Sequence, residues 1–248
     1  PQRFDRTFFE MLDRFHETYP QVGLHMMLHF EHPDEILAKG PDGEYIRDEQ
    51  GFLQWIPATG KAMRGFATRG WITVENQSPI IKGINDDADA LRILQREFKR
   101  AGGENHYFFC GRDIVAYKAF NIPIETSWQT LNESQKGLSG IEKHARLSIT
   151  HYKGKTEVAA VTNEPIPGLK GSENGVVIFK ILRNAGSAPD AGKVCIVGRN
   201  PEALWFDDYE DRVLFDEAGL FDYARVTKQG EAPKRLANSM PMTGGCGG

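Results

Sequence analysis

The sequence predicts an α/β fold in two parts: an arc of parallel strands with crossover helices, followed by a small β-rich extension. Two observations carry this. Between Asp5 and Lys143 helical and strand-like patterns alternate, the signature of a parallel sheet wound as a barrel arc. From Arg146 onward only short strand-like runs follow, which suits a mostly antiparallel unit. The expected division is therefore 1–145 for the arc, 146–217 for the extension and 218–248 for a tail.

The elements follow in order. Phe8, Phe9, Leu12 and Phe15 share one face of a helix over Asp5 to Thr18, which Tyr19-Pro20 stops. Leu24 to Phe30 is a buried strand. Glu31 to Pro57, rich in Pro, Gly and Asp, is a loop or insertion with a hairpin around Asp42-Gly43. A short helix over Gly60 to Thr68 precedes an apolar strand, Trp71 to Val74, which runs into Glu75-Asn76-Gln77-Ser78 and a turn at Lys82-Gly83. Asp86 to Arg100 is the clearest helix, capped by Asn85 or Asp86, with Leu91, Leu94 and Phe98 inward and Gly102-Gly103 at its end. His106 to Cys110 is the third strand and Ser127 to Lys143 a helix weakened at Gly137 to Gly140. The extension takes strands at Leu147–Ile149, Glu157–Val161, Val176–Ile181, Lys193–Val197, Ala203–Phe206 and Arg212–Phe215. After Asp216 the pattern fades, and the Gly-rich end, Met240 to Gly248, is expected to be disordered.

Composition narrows the function classes. The chain has 248 residues, 40% hydrophobic and 26% charged, with net charge -4 and its Lys and Arg dispersed, so no basic stripe points to nucleic acid. Apolar runs such as Val176 to Ile181 are far short of the roughly 20 residues that cross a bilayer. No membrane association and a cytoplasmic location are expected. Cys110, Cys195 and Cys246 stand too far apart for a metal cradle or a disulfide framework and are expected to be free thiols. Because Pro1-Gln2-Arg3 leads at once into an amphipathic segment, the chain is expected to start mid-fold.

In parallel sheets functional groups collect beyond the C-terminal ends of the strands. Three places there hold candidates. His29-Phe30-Glu31-His32-Pro33 follows the first strand; His25 and His29 share a face, but no carboxylate pair completes a metal site, and none is predicted. Asn76 and Gln77 offer amides able to donate and accept, while Gly83 and Asn85-Asp86-Asp87 are explained by a turn and a helix cap. His151-Tyr152-Lys153-Gly154-Lys155 is a turn between short strands, where a lysine is ordinarily solvated.

These segments carry a resemblance. His29 to Ile36 and Asn76 to Asp87 resemble the paired His-Phe-Asn-His-Pro and Asn-Gln-Ser/Thr-x-Leu-Leu-Lys-Gly-Val-Asn-Asp segments of the lysine 2,3-aminomutase family of radical S-adenosylmethionine enzymes. Pro1-Gln2-Arg3 resembles the loop after an earlier barrel strand of that family, and Asn200-Pro201-Glu202 to Leu214 its closing segment. The likeness runs from Pro1 to about Asp216, with an insertion between His32 and Lys61.

The resemblance implies the C-terminal arc of a radical S-adenosylmethionine (TIM-like) barrel. Such enzymes bind a 4Fe-4S cluster through Cys-x3-Cys-x2-Cys, cleave S-adenosylmethionine to a 5'-deoxyadenosyl radical, and move the amino group of an amino acid held on pyridoxal phosphate. The cysteine motif does not occur here, and cluster ligation from one loop needs closely spaced thiolates. The expectation is therefore that an N-terminal cluster-binding half comes from a longer product or a separate polypeptide, that this chain alone is inactive, and that the whole is a homo-oligomer. The family's cofactor lysine ends a Gly-Gly-Gly-Gly-Lys turn; Lys155 after Gly154 matches it, with His151, Tyr152 and Lys153 in place of glycines. His29, Asn76 and Gln77 are the implied further cofactor-binding residues. Two family aspartates that hold a substrate ammonium fall on Arg112, beside Asp113, and on Ser148. A guanidinium there favours an amino-acid substrate with an acidic distal group, unless Arg112 pairs with Asp113 or an external acid. The alternatives are a radical S-adenosylmethionine protein of the same fold without pyridoxal phosphate, and a non-catalytic binding fragment.

Overall fold

A computed structural model describes residues 4–151, 153–183 and 190–221. Eight strands form one sheet in sequence order, β1 to β8. β1 (Leu24–Leu28), β2 (Ile72–Pro79), β3 (Glu104–Phe109) and β4 (Arg146–His151) are parallel. β5 (Gly154–Val161), β6 (Val176–Arg183), β7 (Val194–Gly198) and β8 (Val213–Asp216) continue the same sheet antiparallel. The predicted change from parallel to antiparallel falls at β4. No gap separates the two parts, because β4 pairs on both edges.

Four helices, α1 (Arg6–Thr18), α2 (Pro57–Ala67), α3 (Ala88–Arg100) and α4 (Ile124–Ser134), cover one face. Period-two alternation explains why. In β2, Ile72, Val74, Asn76 and Ser78 are buried while Thr73, Glu75, Gln77 and Pro79 are half-buried. Ile72 and Val74 pack with Met63 and Phe66 of α2 and Phe98 of α3. Further along, Leu91 and Leu94 of α3, Leu131 of α4, Leu147 and Ile149 of β4 and Phe179 of β6 share a second cluster that continues to Phe221. The opposite face of β1 to β5 carries no helix among the described residues.

Several boundaries differ from expectation for identifiable reasons. The α1 cap is Asp5, whose carboxylate accepts from the Phe8 N–H at 2.9 Å. Asp87, not Asn85 or Asp86, caps α3, accepting from the Ala90 N–H at 2.8 Å. Asp86 instead accepts from the N–H of Gly83, whose φ of 73° is open to glycine at little cost. α4 runs from Ile124 and stops at Ser134, well before the predicted Lys143, and Gly137 takes φ 77° beyond its end. Ala203 to Phe206 is no strand; a short 3-10 helix, Phe206–Arg212, burying Phe206 and Tyr209, follows there. The insertion is a meander with bridges Leu37↔Trp55, Lys39↔Tyr45 and Arg47↔Leu53, so a second turn accompanies the expected hairpin. Nor does the chain leave the fold at Asp216: Asp216 accepts from the N–H groups of Leu220 and Phe221, and both residues are buried. Met240 to Gly248 and Cys246 lie outside the described residues.

The arc and the extension are tied by a buried ion pair. Glu125 of α4, its side chain 2% exposed, accepts through Oε2 from Arg199 Nε at 2.8 Å, with Arg199 Nη2 2.7 Å from the same oxygen, and through Oε1 from the Asn200 N–H at 2.7 Å. Cys110 and Cys195 are buried free thiols, and burial pushes the Cys110 thiol up to about 12.

Candidate functional site

The loops after β1 and β2 are locked together by two buried asparagines. Asn76 forms a two-way clamp on Phe30, accepting from its N–H at 2.8 Å and donating to its carbonyl at 3.0 Å. Asn85 accepts from the Ile81 N–H at 2.6 Å and donates to the carbonyls of Glu31 and Pro79, both at 2.9 Å. These two residues explain why a polar motif follows an apolar strand. Their amides satisfy backbone groups that the loops could not otherwise pair. The Asn76 amide is thereby committed to Phe30 on the helix-covered side.

His29 and Gln77 stand on the other side, their Nε2 atoms 3.3 Å apart. His32 does not join them: its Nδ1 accepts from the Asp34 N–H at 3.2 Å and caps a short 3-10 turn, Pro33–Glu35. Among the described residues no three His, Cys, Asp or Glu side chains are grouped as a metal site.

Lys155 belongs to β5 itself rather than to the turn. Its pairing partner is Thr150, and its side chain crosses β4 so that Nζ lies 4.1 Å from the Tyr107 ring centroid and 4.9 Å from that of Phe109. Burial, and second the charge of Arg183, hold the amine below the ordinary lysine range, against the attraction of the two ring faces. Lys153 goes elsewhere: its Nζ donates to the Ala218 carbonyl at 3.2 Å, among the core residues of the covered side. Gly154, with φ 137°, separates the two directions.

Ser148 pairs with Phe109 on one side and Glu157 on the other, and alternates with Leu147 and Ile149 of the core. It therefore points to the Lys155 face. It is fully buried and its Oγ has no hydrogen-bond partner among the described residues. Arg112 is exposed on the loop after β3, and its carbonyl accepts from the Asn121 side chain. Asp113 pairs with Lys118 at 3.0 Å. The structure thus brings Lys155, Ser148, Gln77 and His29 to one face, places Arg112 on a loop after β3, and puts the Asn76 amide behind the sheet.

Three residues on this face were assigned no role from the sequence: Glu75, which opens the Asn76-Gln77 segment, and His106 and Tyr107 of the third strand. Glu75 was legible from alternation, since it shares a face with Gln77 two residues on.

The turn also carries a pH-sensitive group. His151 is buried against Phe206, ring centroids 4.5 Å apart, and burial, with the Lys153 charge second, pushes it down to about 4. The folded chain holds this ring neutral where the unfolded chain, near 6.5, takes up a proton, so stability is lost as pH falls from about 6.5 toward 4. Urea denaturation of wild type and His151→Leu at pH 7 and pH 5 should show the wild type losing about 2 kcal/mol more over that interval. Equal losses would place the acid sensitivity elsewhere.

Fold and face together define an α/β protein whose candidate site residues line the uncovered side of a parallel arc, with the Lys155 amine held over Tyr107 and Phe109. No family model matches the chain. It is 30% identical over 197 residues to a provisionally named L-lysine 2,3-aminomutase of Aquifex aeolicus, a match covering 79% of this chain and 44% of that protein. It is 23% identical over 141 residues to the glutamate 2,3-aminomutase of Clostridioides difficile, covering 57% of this chain and 27% of that protein. The chain is lysine 2,3-aminomutase-like, and it spans less than half the length of the curated relatives it matches.

Proposed function

We propose that this chain supplies the pyridoxal phosphate lysine and part of the substrate pocket of a 2,3-aminomutase, with Lys155 as that lysine. The observation that carries the proposal is the Lys155 amine over Tyr107 and Phe109, on the face that also holds Gln77 and His29. The residues suit the cofactor: a partly desolvated amine loses its proton readily, flat rings border it, and the buried Ser148 hydroxyl has no partner among the described residues. Bound there, pyridoxal phosphate would supply the conjugated π system that lets the amino group of the substrate migrate to a neighbouring carbon radical. Lys155 would attach it, Gln77 and His29 would offer polar contacts, and Asn76 would act indirectly, by fixing Phe30 beside His29. We place the cluster ligands and the S-adenosylmethionine site outside the described residues, in polypeptide that closes the arc into a radical S-adenosylmethionine barrel. Addition of pyridoxal phosphate to the full-length protein tests the reading: wild type should acquire a saturable visible absorbance that Lys155→Ala lacks, and identical spectra would reject it.

For the substrate, the relatives are named for a basic and an acidic amino acid. Asp113 is engaged by Lys118, which favours Arg112 as a contact for a carboxylate and an acidic amino acid as substrate. Arg112→Asp in the full-length protein should then weaken glutamate binding about ten-fold or more while affecting lysine less. Calorimetric titration with both amino acids measures this; equal loss for both, or none, removes Arg112 from the pocket.

A further inference from the structure

The parallel pairing of β2 with β3 is interrupted. Glu75 pairs with Glu104 and Asn76 with Asn105, but Gln77 pairs with Tyr107, so His106 is an extra residue in β3. Such a bulge suspends alternation and sends two neighbouring side chains to the same side. His106 and Tyr107 accordingly pack together, ring centroids 4.0 Å apart at 69°. Tyr107 is the ring beneath the Lys155 amine. From the other side Glu75 reaches His106, with Oε1 3.3 Å from Nδ1, and its second oxygen lies 3.6 Å from His25 Nδ1. Among the described residues Nε2 of His106 has no hydrogen-bond partner. The row Glu75, His106, Tyr107, Lys155 thus crosses the open face.

We infer that Glu75 and His106 form a carboxylate–imidazole dyad that takes the proton from an ammonium bound on the Lys155 face. This rests on the reading of that face as an amino-acid site. An amino acid arrives as its ammonium and must lose one proton before its nitrogen is nucleophilic. In the step, the N–H bond of the ammonium breaks, an N–H bond forms at His106 Nε2, and the positive charge passes to the imidazolium, which Glu75 stabilises through Nδ1. Glu75 is a positioning residue; it fixes the ring and its tautomer.

The charges around the ring suit the role. Burial lowers the His106 pKa, Glu75 opposes that, and Lys155 and Arg146 lower it further. Arg146 is itself 3.8 Å from Glu157, Arg183 bears on Lys155, and His25 shares Glu75. Burial and the two cations thus favour the neutral ring, the form that can accept a proton.

The histidine resonances of the chain, followed by NMR through a pH titration, test the dyad without any cofactor. Glu75→Gln should lower the His106 midpoint and Lys155→Met should raise it; a midpoint that follows neither variant overturns the inference. In the full-length enzyme His106→Gln should reduce kcat by roughly a hundred-fold and abolish the acid limb of its pH profile, with KM little changed. An unaltered profile also overturns it. A His106 midpoint that follows both variants while Lys155 takes up no cofactor would reject the cofactor reading and leave the dyad standing. A Lys155 that binds cofactor beside an unresponsive His106 would do the reverse.

Discussion

Lys155→Ala in the full-length protein is expected to lower turnover by on the order of a thousand-fold or more, with Lys153→Ala close to wild type. The contrast follows from where the two amines lie. Lys155 Nζ sits over Tyr107 and Phe109 on the uncovered face, whereas Lys153 Nζ donates to Ala218 behind the sheet. Removing Lys153 loses its hydrogen bond to the Ala218 carbonyl, and a bond of that kind is a matter of about 1 kcal/mol of stability. Removing Lys155 removes the amine that, among the described residues, is placed against the Tyr107 and Phe109 rings. Steady-state turnover of the two variants gives the comparison, and equal activity would contradict the assignment.

The second large effect concerns stability. Arg199→Ala leaves the Glu125 carboxylate buried with the Asn200 N–H and the Tyr209 hydroxyl but no cation. A buried charge stripped of its partner costs about 3–5 kcal/mol. Thermal unfolding should fall by roughly 10 °C for a chain of this size. Glu125→Leu combined with Arg199→Met should recover most of the loss, because the pair is then replaced rather than broken. The transition should remain single, since Glu125 belongs to the α4 side of β4 and Arg199 follows β7, within one continuous sheet. A variant that unfolds in two steps would show instead that the arc and the extension are separate units.

What could be read from the sequence follows from the range of the forces involved. The α1 and α3 faces and the switch from helix-strand alternation to short strands were legible, because burial periodicity is local. The site was legible in part. Asn76 and Gln77 are neighbours in one motif, yet β2 extends through the motif, so alternation sends the Asn76 amide to Phe30 and Gln77 to His29. Lys153 and Lys155 are two apart and would share a face on a regular strand; the φ of 137° at Gly154 undoes that. The bulge at His106 left no local signal at all. It arises from the register between strands some thirty residues apart, and only the paired backbone reveals it. Ala203 to Phe206 looked like a strand because its apolar residues are close-set, but they serve the buried turn that carries Phe206 and Tyr209. The insertion obscured the spacing between β1 and β2 without disturbing their pairing, since its ends meet at Leu37 and Trp55.

Lys155 is proposed as the cofactor lysine of an aminomutase-like site. The most direct measurement is borohydride reduction of the full-length protein loaded with pyridoxal phosphate, followed by peptide mapping. A stable pyridoxyl group is expected on the peptide that contains Lys155, at that residue and not at Lys153. A pyridoxyl group on Lys153 or on a lysine elsewhere, or no modification of any lysine, would contradict it.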